Sequence, residues 1–150
     1  MYGADSPVLP DKTMNIYLAG PLFTAAELAF NRDLAEQLRG YGHYVFLPQE
    51  HNTNLTPGYS KRVYKTDLDA LHRADVTVAI LDGSDVDSGT AWECGYSRAM
   101  GKMVYGFRTD IRIYGVEEEV NLMIQESCVG IYNKFGDLVR ALGETYGSRL

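Results

Sequence analysis

Apolar runs of strand length alternate along this chain with segments in which apolar residues recur at helical spacing. The five apolar runs, which we predict to be strands, cover 15–19, 44–47, 76–81, 103–107 and 128–132. The run at 76–81, Val-Thr-Val-Ala-Ile-Leu, lacks the alternation that is typical of a half-exposed strand. A parallel strand that is covered by helices on both faces needs such a run. We therefore expect 76–81 to be the central strand of a parallel sheet.

Helices are predicted between these strands. Thr24, with Glu27 three residues later, has the pattern of a capping box, and the helical spacing that follows it ends near Gly40. The other helical patterns cover 59–74, about 88–101, a short stretch that opens at 117–119, and a closing segment with Leu138, Leu142 and Tyr146 on one face. The alternation predicts an α/β fold, a single doubly wound, flavodoxin-like or Rossmann-like sheet. Five parallel strands in the order 2-1-3-4-5 should carry helices on both faces.

Length and composition agree with a single domain. A chain of 150 residues, of which 45% are hydrophobic and 23% charged, can bury one full core. Residues 1–13 contain proline and show no periodicity, so we expect a flexible N-terminal tail there. The domain itself is expected to cover 14–150.

Charge and the length of the apolar runs exclude several classes of partner. A net charge of −6 repels phosphate backbones, so we expect no nucleic-acid partner. No apolar run approaches the roughly 20 residues that span a bilayer, so we expect no membrane insertion. The first residues lack the basic start and apolar run of a secretory signal. We therefore expect a cytoplasmic protein in which Cys94 and Cys128 are reduced thiols.

The predicted topology places a ligand crevice at one edge of the sheet. In doubly wound sheets, ligands bind outside the carboxyl ends of the strands, where the strand order reverses. That point lies between the first and third strands here, so the loops at 20–24 and 82–88 should meet. The sequence has no glycine-rich dinucleotide fingerprint and no phosphate loop, and its histidines and cysteines lack metal-ligand spacing. We expect neither a cofactor nor a metal.

A cluster of acidic side chains is expected at this crevice. Its members are Asp67 on the second helix, Asp82, Asp85 and Asp87 in the following loop, and Glu93 on the third helix. Like charges in close proximity raise the pKa of at least one carboxyl group, which can place a proton donor beside an ionised base or nucleophile. Asp82 and Asp85 also have a structural interpretation, because aspartate commonly stabilises turns.

Glu93 and Tyr17 each have a catalytic and a structural interpretation. Glu93 falls in the second turn of the third helix, where the positive helix end favours an anion, so we expect it to be ionised near neutral pH. The alternative is an exposed helical glutamate. Tyr17 lies near the carboxyl end of the first strand, and its hydroxyl either points at Glu93 or serves packing. Trp92 is interpreted as a packing or subunit-contact residue.

Several short blocks follow one another between Ile16 and Tyr132. They are Ile-Tyr-Leu-Ala-Gly-Pro at 16–21, Asp-Leu at 67–68, Ala-Asp-Val at 74–76, Asp-Ser-Gly-Thr-Ala-Trp-Glu-Cys-Gly-Tyr at 87–96, Gly-Lys at 101–102 and Asn-Leu-Met at 121–123. In this order they resemble the nucleoside 2-deoxyribosyltransferases, and the block at 87–96 is the most specific of them. That family cleaves the N-glycosidic bond of a 2′-deoxynucleoside and passes the deoxyribosyl group to another base.

The resemblance implies a role for each matching residue. Glu93 would be the nucleophile that forms a covalent deoxyribosyl-enzyme, Tyr17 would orient it, and Asp67 and Asp87 would hold the nucleobase and move its proton. The implied substrate-binding residues are Gly20, Phe23, Gln49, Gly89, Asn121 and Met123. Because the family contributes the last two of these to a neighbouring subunit's site, a homo-oligomer is implied. Deoxynucleosides and free nucleobases would be the substrates, and no cofactor would be needed.

Two other functions stay open at this stage. One is a nucleotide N-hydrolase that releases the base from a nucleoside monophosphate. Such relatives typically carry serine where Asp87 stands, since a carboxylate repels phosphate, although Ser88 and Arg108 keep this alternative open. The other is a non-catalytic nucleotide sensor, because doubly wound sheets serve many functions.

Overall fold

Five parallel strands form the sheet of this protein, in a computed structural model that describes residues 12–52 and 55–147. The strands are β1 Asn15–Ala19, β2 Tyr44–Phe46, β3 Val76–Ile80, β4 Met103–Phe107 and β5 Gly130–Tyr132. Their order is β2-β1-β3-β4-β5, and every neighbouring pair is parallel. The predicted fold class and strand order are confirmed. Most of the predicted tail, residues 1–11, lies outside the described residues.

Helices connect the strands and pack on the sheet. They are α1 Ala25–Gly40, α2 Tyr59–Arg73, α3 Ser88–Ala99, α4 Leu122–Gln125 and α5 Phe135–Gly147, with a 3-10 turn at Pro48–Glu50. The predicted capping box of α1 is present: the Glu27 N–H donates to Thr24 Oγ1 at 3.1 Å, and the Thr24 N–H donates to Glu27 Oε2 at 2.8 Å. None of the helices in the described part of the chain is both long and apolar enough to cross a membrane.

The two faces of the sheet have separate cores. On one face, strand residues such as Leu18 and Val78 pack against α1 and α5. On the other face, Tyr17 and Val104 pack against α2 and α3. Strand β3 is buried along its whole length, as expected for the central strand. The predicted helix layers on both faces are therefore confirmed.

Some predicted boundaries are wrong. The short helix begins at Leu122 and not at Glu117, because Asn121 is its N-cap and accepts a hydrogen bond from the Met123 N–H at 3.0 Å. The acidic residues before it form a tight bend, in which the Gly115 N–H donates to the Glu118 carbonyl at 2.9 Å. Strand β5 begins two residues later than predicted, because a turn after α4 takes up the preceding residues. The side chain of Tyr146 lies outside those that the structure describes.

Lys102 joins two helices that pack on the same face of the sheet. It follows the end of α3, where a lysine commonly neutralises the last turn of its own helix. Its ammonium group instead donates to three carbonyls at the end of α2, those of Leu71 at 2.5 Å, His72 at 2.7 Å and Ala74 at 2.5 Å. These carbonyls have no partner within their own helix, so the lysine satisfies them.

Replacing Lys102 by methionine tests this cap. Lys102→Met keeps most of the aliphatic stem but leaves the three carbonyls without their donor, so the free energy of unfolding should fall by about 1 to 2 kcal/mol. Urea denaturation followed by circular dichroism measures this loss. Lys61→Met, at an exposed position of α2, is the matched control and should change little. Equal stability of the two variants would show that the contact contributes nothing.

Candidate active site

Tyr17 and Glu93 meet at the carboxyl-terminal side of the sheet. Tyr17 is 0% exposed, and its side chain extends from β1 towards α3. Its hydroxyl donates a hydrogen bond to Glu93 Oε1 at 2.7 Å. The expected contact between these two residues, 76 positions apart, is therefore present. Glu93 is not a freely exposed helical glutamate, because most of its side chain is buried beside the phenol.

Burial dominates the electrostatics of Glu93. It raises the pKa of this carboxyl group to about 7, while the Tyr17 hydrogen bond lowers it and the charges of Asp67 and Asp87 raise it further. We expected the positive end of α3 to keep Glu93 fully ionised. The structure differs because the loss of hydration at this position outweighs the helix dipole. Near neutral pH the carboxyl group is close to half-ionised.

Tyr17 stays protonated in this environment. Burial raises the pKa of its phenol, and the nearby negative charge of Glu93 raises it further. The phenol is therefore the donor and the carboxylate the acceptor in their hydrogen bond. This arrangement fixes the direction of one carboxylate oxygen and leaves the other, Oε2, for a ligand.

Asp67 belongs to the same acidic cluster. It lies on α2 and is half-buried, and its charge acts on both Tyr17 and Glu93. Burial raises the pKa of Asp67, while a hydrogen bond from Asn52 and the charge of His51 lower it. Its Oδ1 atom is buried and has no hydrogen-bond partner among the described residues. Asp67 can therefore hold a proton more readily than an ordinary surface aspartate.

Asp87 combines proximity to Glu93 with a structural role. It is the N-cap of α3, where its Oδ2 accepts from the Thr90 N–H at 2.9 Å and from the Thr90 hydroxyl at 3.0 Å. A Cβ atom on Gly89 would lie 3.2 Å from the same oxygen, so the glycine leaves room for the cap. Only Oδ1 of Asp87 is free of these bonds.

In the described part of the chain, no three His, Cys, Asp or Glu side chains are arranged to hold a metal ion.

Asp82 and Asp85 are structural residues and do not join this cluster. Asp82 accepts from the backbone N–H groups of Thr109 and Asp110 at 2.6 and 2.9 Å, and from the Thr109 hydroxyl at 2.6 Å. Asp85 accepts from the neighbouring Val86 N–H at 2.9 Å. The structural interpretation of these two aspartates is confirmed. The acidic cluster at the crevice is Asp67, Asp87 and Glu93.

Arg108 also supports a loop. It is 5% exposed, and its terminal nitrogens donate to the carbonyls of Leu81 and Gly83 and, at 2.8 Å, to that of Arg112. These bonds hold the loop that follows β3. Both terminal nitrogens of the guanidinium group are therefore bound to backbone carbonyls, and the structure gives no support to Arg108 as a phosphate-binding residue.

The loops after β1 and β2 carry three predicted substrate-binding residues. Gly20 follows β1, and a Cβ atom there would lie 3.1 Å from Ile80 Cδ1, so a side chain at this position would press on Ile80. Phe23 is 75% exposed near the start of α1. Gln49 lies in the 3-10 turn after β2 and is half-buried. All three lie beyond the carboxyl ends of β1 and β2, on the side of the sheet where the crevice was predicted.

Asn121 and Met123 lie on the short helix α4. Asn121 is its N-cap, and Met123 is 71% exposed. Ile124 anchors the helix by packing against the core that contains Tyr17. The structure thus holds Asn121 and Met123 on a surface helix, and leaves the methionine side chain open to contact.

A column of stacked rings beside Tyr17 was missed by the sequence analysis. The rings of Tyr17 and Phe46 are stacked with centroids 5.5 Å apart, and those of Phe46 and His51 are stacked at 4.4 Å. His51 also influences the pKa of Asp67. Both missed residues come at or soon after the carboxyl end of β2, which is the signal that could have identified them. We had considered His51 only as a possible metal ligand.

Solved structures of other proteins share this architecture. A 2-deoxyribosyltransferase from Bacillus psychrosaccharolyticus is 34% identical, with a TM-score of 0.72 over 82% of this chain and 88% of that chain. A CMP N-glycosidase from Clostridium botulinum is 24% identical, with a TM-score of 0.53 over 85% of this chain and 96% of that chain. At that identity the second likeness shows the fold alone.

Sequence comparison extends the match. An uncharacterized protein of Ureaplasma parvum is 32% identical over 153 residues, which cover 87% of this chain and 95% of that protein. The sequence profile of the nucleoside 2-deoxyribosyltransferases matches residues 16–128, a segment that contains Tyr17, Asp67, Asp87 and Glu93. The resemblance carried by the short blocks is confirmed, and the chain belongs to the nucleoside 2-deoxyribosyltransferase family.

Proposed function

We propose that this protein transfers the 2-deoxyribosyl group between nucleobases through a covalent intermediate on Glu93, as a step of nucleoside salvage. The observation that carries the proposal is the hydrogen bond from the buried Tyr17 phenol to Glu93. It orients a carboxylate within an acidic crevice, as a nucleophile that attacks a sugar requires. Membership of the family supports the choice of substrate.

The first half of the reaction breaks the nucleoside. Oε1 of Glu93 is held by Tyr17, so we assign the attack on the anomeric carbon to Oε2. A carbon–oxygen bond to Glu93 forms while the bond from that carbon to the base nitrogen breaks, and the electron pair of the broken bond goes to the base. Asp67, whose pKa is raised by burial, donates a proton to the leaving base.

The second half reverses these steps with a new base. A nitrogen of the incoming base attacks the anomeric carbon, the bond to Glu93 breaks, and the carboxylate is regenerated. The proton that the incoming base loses returns to Asp67, while Asp87 contacts the base through its free Oδ1. Two displacements at one carbon retain its configuration, as in retaining glycosidases. None of these steps calls for a metal or an organic cofactor.

Hydrolysis competes with transfer at the second step, because water can replace the incoming base. A nucleoside monophosphate is a less suitable substrate than a nucleoside. The carboxylate of Asp87 stands at the N-terminus of α3, where a phosphate would otherwise bind, and Arg108 is engaged by carbonyls. These two features favour an uncharged nucleoside.

A homo-oligomer is part of the proposal, with Asn121 and Met123 completing the site of a neighbouring subunit. Support comes from apolar side chains that a single chain leaves open, among them Met123 at 71%, Leu122 at 48% and Trp92 at 48% exposure. Trp92 is adjacent to Glu93 in sequence and stacks on Tyr96 with ring centroids 4.9 Å apart. Exposed aromatic and methionine side chains are enriched at subunit interfaces.

A base-exchange assay with a Glu93 variant tests the reaction. The wild type, given deoxyadenosine, deoxyinosine, deoxycytidine or thymidine and a second free base, should form a new deoxynucleoside, and ribonucleosides should react poorly. Glu93→Ala should reduce turnover by a factor of about 1,000 or more while the helix stays folded. Chromatography follows the products, and mass spectrometry of quenched wild-type enzyme should show one added deoxyribosyl group. Glu36→Ala, at an exposed position of α1, is the control.

Other outcomes of this assay distinguish the alternatives. Free deoxyribose without any new nucleoside would identify a hydrolase. Full activity of Glu93→Ala would overturn the proposed nucleophile. Binding of nucleosides by the wild type without turnover would indicate a sensor.

The pH dependence of the covalent step tests the state of Glu93. Only the ionised carboxylate attacks, so the ionisation of Glu93 should give the single-turnover rate a limb that rises with pH towards about pH 7. Because Asp67 must still carry the proton that it donates, its ionisation should add a limb that falls with pH. The Tyr17 hydrogen bond lowers the pKa of Glu93, so Tyr17→Phe should shift this rise to higher pH. Rapid-quench measurements across pH would show the shift. Tyr44→Phe, at a residue that is 71% exposed, should leave the profile unchanged. An identical shift in both variants, or none in either, would contradict the assignment.

Co-expression of two inactive variants tests the shared site. Glu93→Ala lacks the nucleophile, whereas Asn121→Ser keeps a helix-capping side chain but lacks the amide. If Asn121 of one subunit completes the site of its neighbour, mixed oligomers should regain activity. The active sites would be those that combine an intact Glu93 from one subunit with an intact Asn121 from the other. Co-expression of Glu93→Ala with Tyr17→Phe is the control and should give no activity beyond that of Tyr17→Phe itself, since both residues belong to one subunit's site. A monomer in sedimentation analysis, or no recovery, would exclude the arrangement.

A further inference from the structure

Asn31 is a buried polar side chain that ties together the loops after β1 and β2. It lies in the middle of α1 and is 3% exposed. Its amide nitrogen, Nδ2, donates to the Pro21 carbonyl at 2.8 Å and to Gln49 Oε1 at 3.0 Å. One side chain therefore uses both of its amide hydrogens to connect two segments that border the crevice.

These contacts fix the orientation of the Gln49 amide. Gln49 Nε2 donates to the Leu28 carbonyl at 2.8 Å. A backbone carbonyl only accepts, so the Gln49 atom that faces Leu28 must be nitrogen and the atom that faces Asn31 must be oxygen. The Pro21 carbonyl likewise only accepts, so the Asn31 atom that faces it must be nitrogen. Gln49 is left with one N–H and one oxygen lone pair, in a single arrangement, for a ligand.

The remaining oxygen of Asn31 does not stabilise the fold. Asn31 Oδ1 is buried and has no hydrogen-bond partner among the described residues. A buried unpaired acceptor costs roughly 1 to 3 kcal/mol, which an apolar side chain of similar size would avoid. A Cβ atom on Gly20 would lie 3.4 Å from this oxygen, so the oxygen lies beside the loop that follows β1. The favourable contribution of this side chain therefore lies in its two hydrogen bonds, both of which are made to segments that border the crevice.

We propose that Asn31 is a positioning residue for nucleobase selection. It acts through Gln49, whose amide it holds together with the Leu28 carbonyl. This inference rests on the proposed function, in which Gln49 and Phe23 contact the base. The fixed amide presents its donor and acceptor to the base in one order, so it distinguishes a 6-amino purine from a 6-oxo purine, whose edges differ in donors and acceptors.

Acceptor competition between adenine and hypoxanthine tests the inference. Asn31→Leu removes both hydrogen bonds and the unpaired oxygen, so the Gln49 amide is held by the Leu28 carbonyl alone. The ratio of the two kcat/KM values should change about tenfold from that of the wild type, mainly through the KM of the base. The kcat for hydrolysis, in which water replaces the base, should stay within about twofold. Calorimetry of each free base provides a second measurement that does not depend on turnover.

Two further variants separate positioning from stability. Leu34→Ala removes a buried side chain from the same helix and should destabilise the protein without changing the base ratio. Once Gln49→Leu has removed the amide, addition of Asn31→Leu should have little further effect on the ratio. If Asn31→Leu fails to fold, Asn31→Ala serves in its place, because alanine favours the helix.

The possible failures are distinguishable. A wild type without base exchange would overturn the proposed function, whereas an active wild type with an unchanged ratio in Asn31→Leu would overturn only the role of Asn31. An equal loss of kcat/KM with both bases would show that Asn31 has only a structural role. A shift of the kcat/KM ratio of the same size in Leu34→Ala would show the same. Additive effects of Asn31→Leu and Gln49→Leu would show that Asn31 does not act through Gln49.

Discussion

The hydrogen bond between Tyr17 and Glu93 joins the sheet to helix α3 and constrains the rest of the site. It requires a strand that carries a buried phenol and a helix whose second turn faces that strand. Burial raises the pKa of Glu93 to about 7 from an ordinary value of 4.5. Between these two pH values the unfolded chain loses its proton before the folded protein does. The free energy of unfolding therefore falls across this range, and above it the cost of burying the carboxylate is constant. The cores on both faces of the sheet offset this cost.

The aspartates near the crevice differ in how many of their carboxylate oxygens are used in structural hydrogen bonds. Asp82 is saturated by N–H and hydroxyl donors from the loop after β4, whereas Asp67 keeps a buried oxygen without a partner in the described structure. Asp87 is intermediate, because one oxygen caps α3 and the other is free of the cap. The number of donors around each carboxylate decides which of them can act on a ligand. The bonds of Asp82 also connect the loop after β3 to the loop after β4.

The strand order could be predicted from the sequence, because it follows from an apolar central strand in an alternating β/α pattern. The pattern left two alternatives for Tyr17, packing or a contact with Glu93, and the family resemblance favoured the contact. The structural interpretation of Asp82 and Asp85 rested only on the general preference of aspartate for turns, and the sequence did not reveal their hydrogen-bond partners. The partners of Asp82 lie 27 and 28 residues away, in a loop without a distinctive pattern. The start of α4 was misplaced because an asparagine cap outweighed three acidic residues. The Phe46–His51 stack depends on ring geometry, which spacing alone does not give.

In the proposed reaction, the choice between transfer and hydrolysis depends on how well water is excluded from the covalent intermediate. The chain itself buries Glu93 beside Tyr17 but leaves Phe23 at 75% and Met123 at 71% exposure. An aromatic and a methionine side chain can cover the flat face of a base, whereas they offer little to a water molecule. If Met123 reaches the site of a neighbouring subunit, assembly both excludes water and builds the surface on which the second base binds. Oligomerisation and the outcome of the second displacement are then consequences of the same contact.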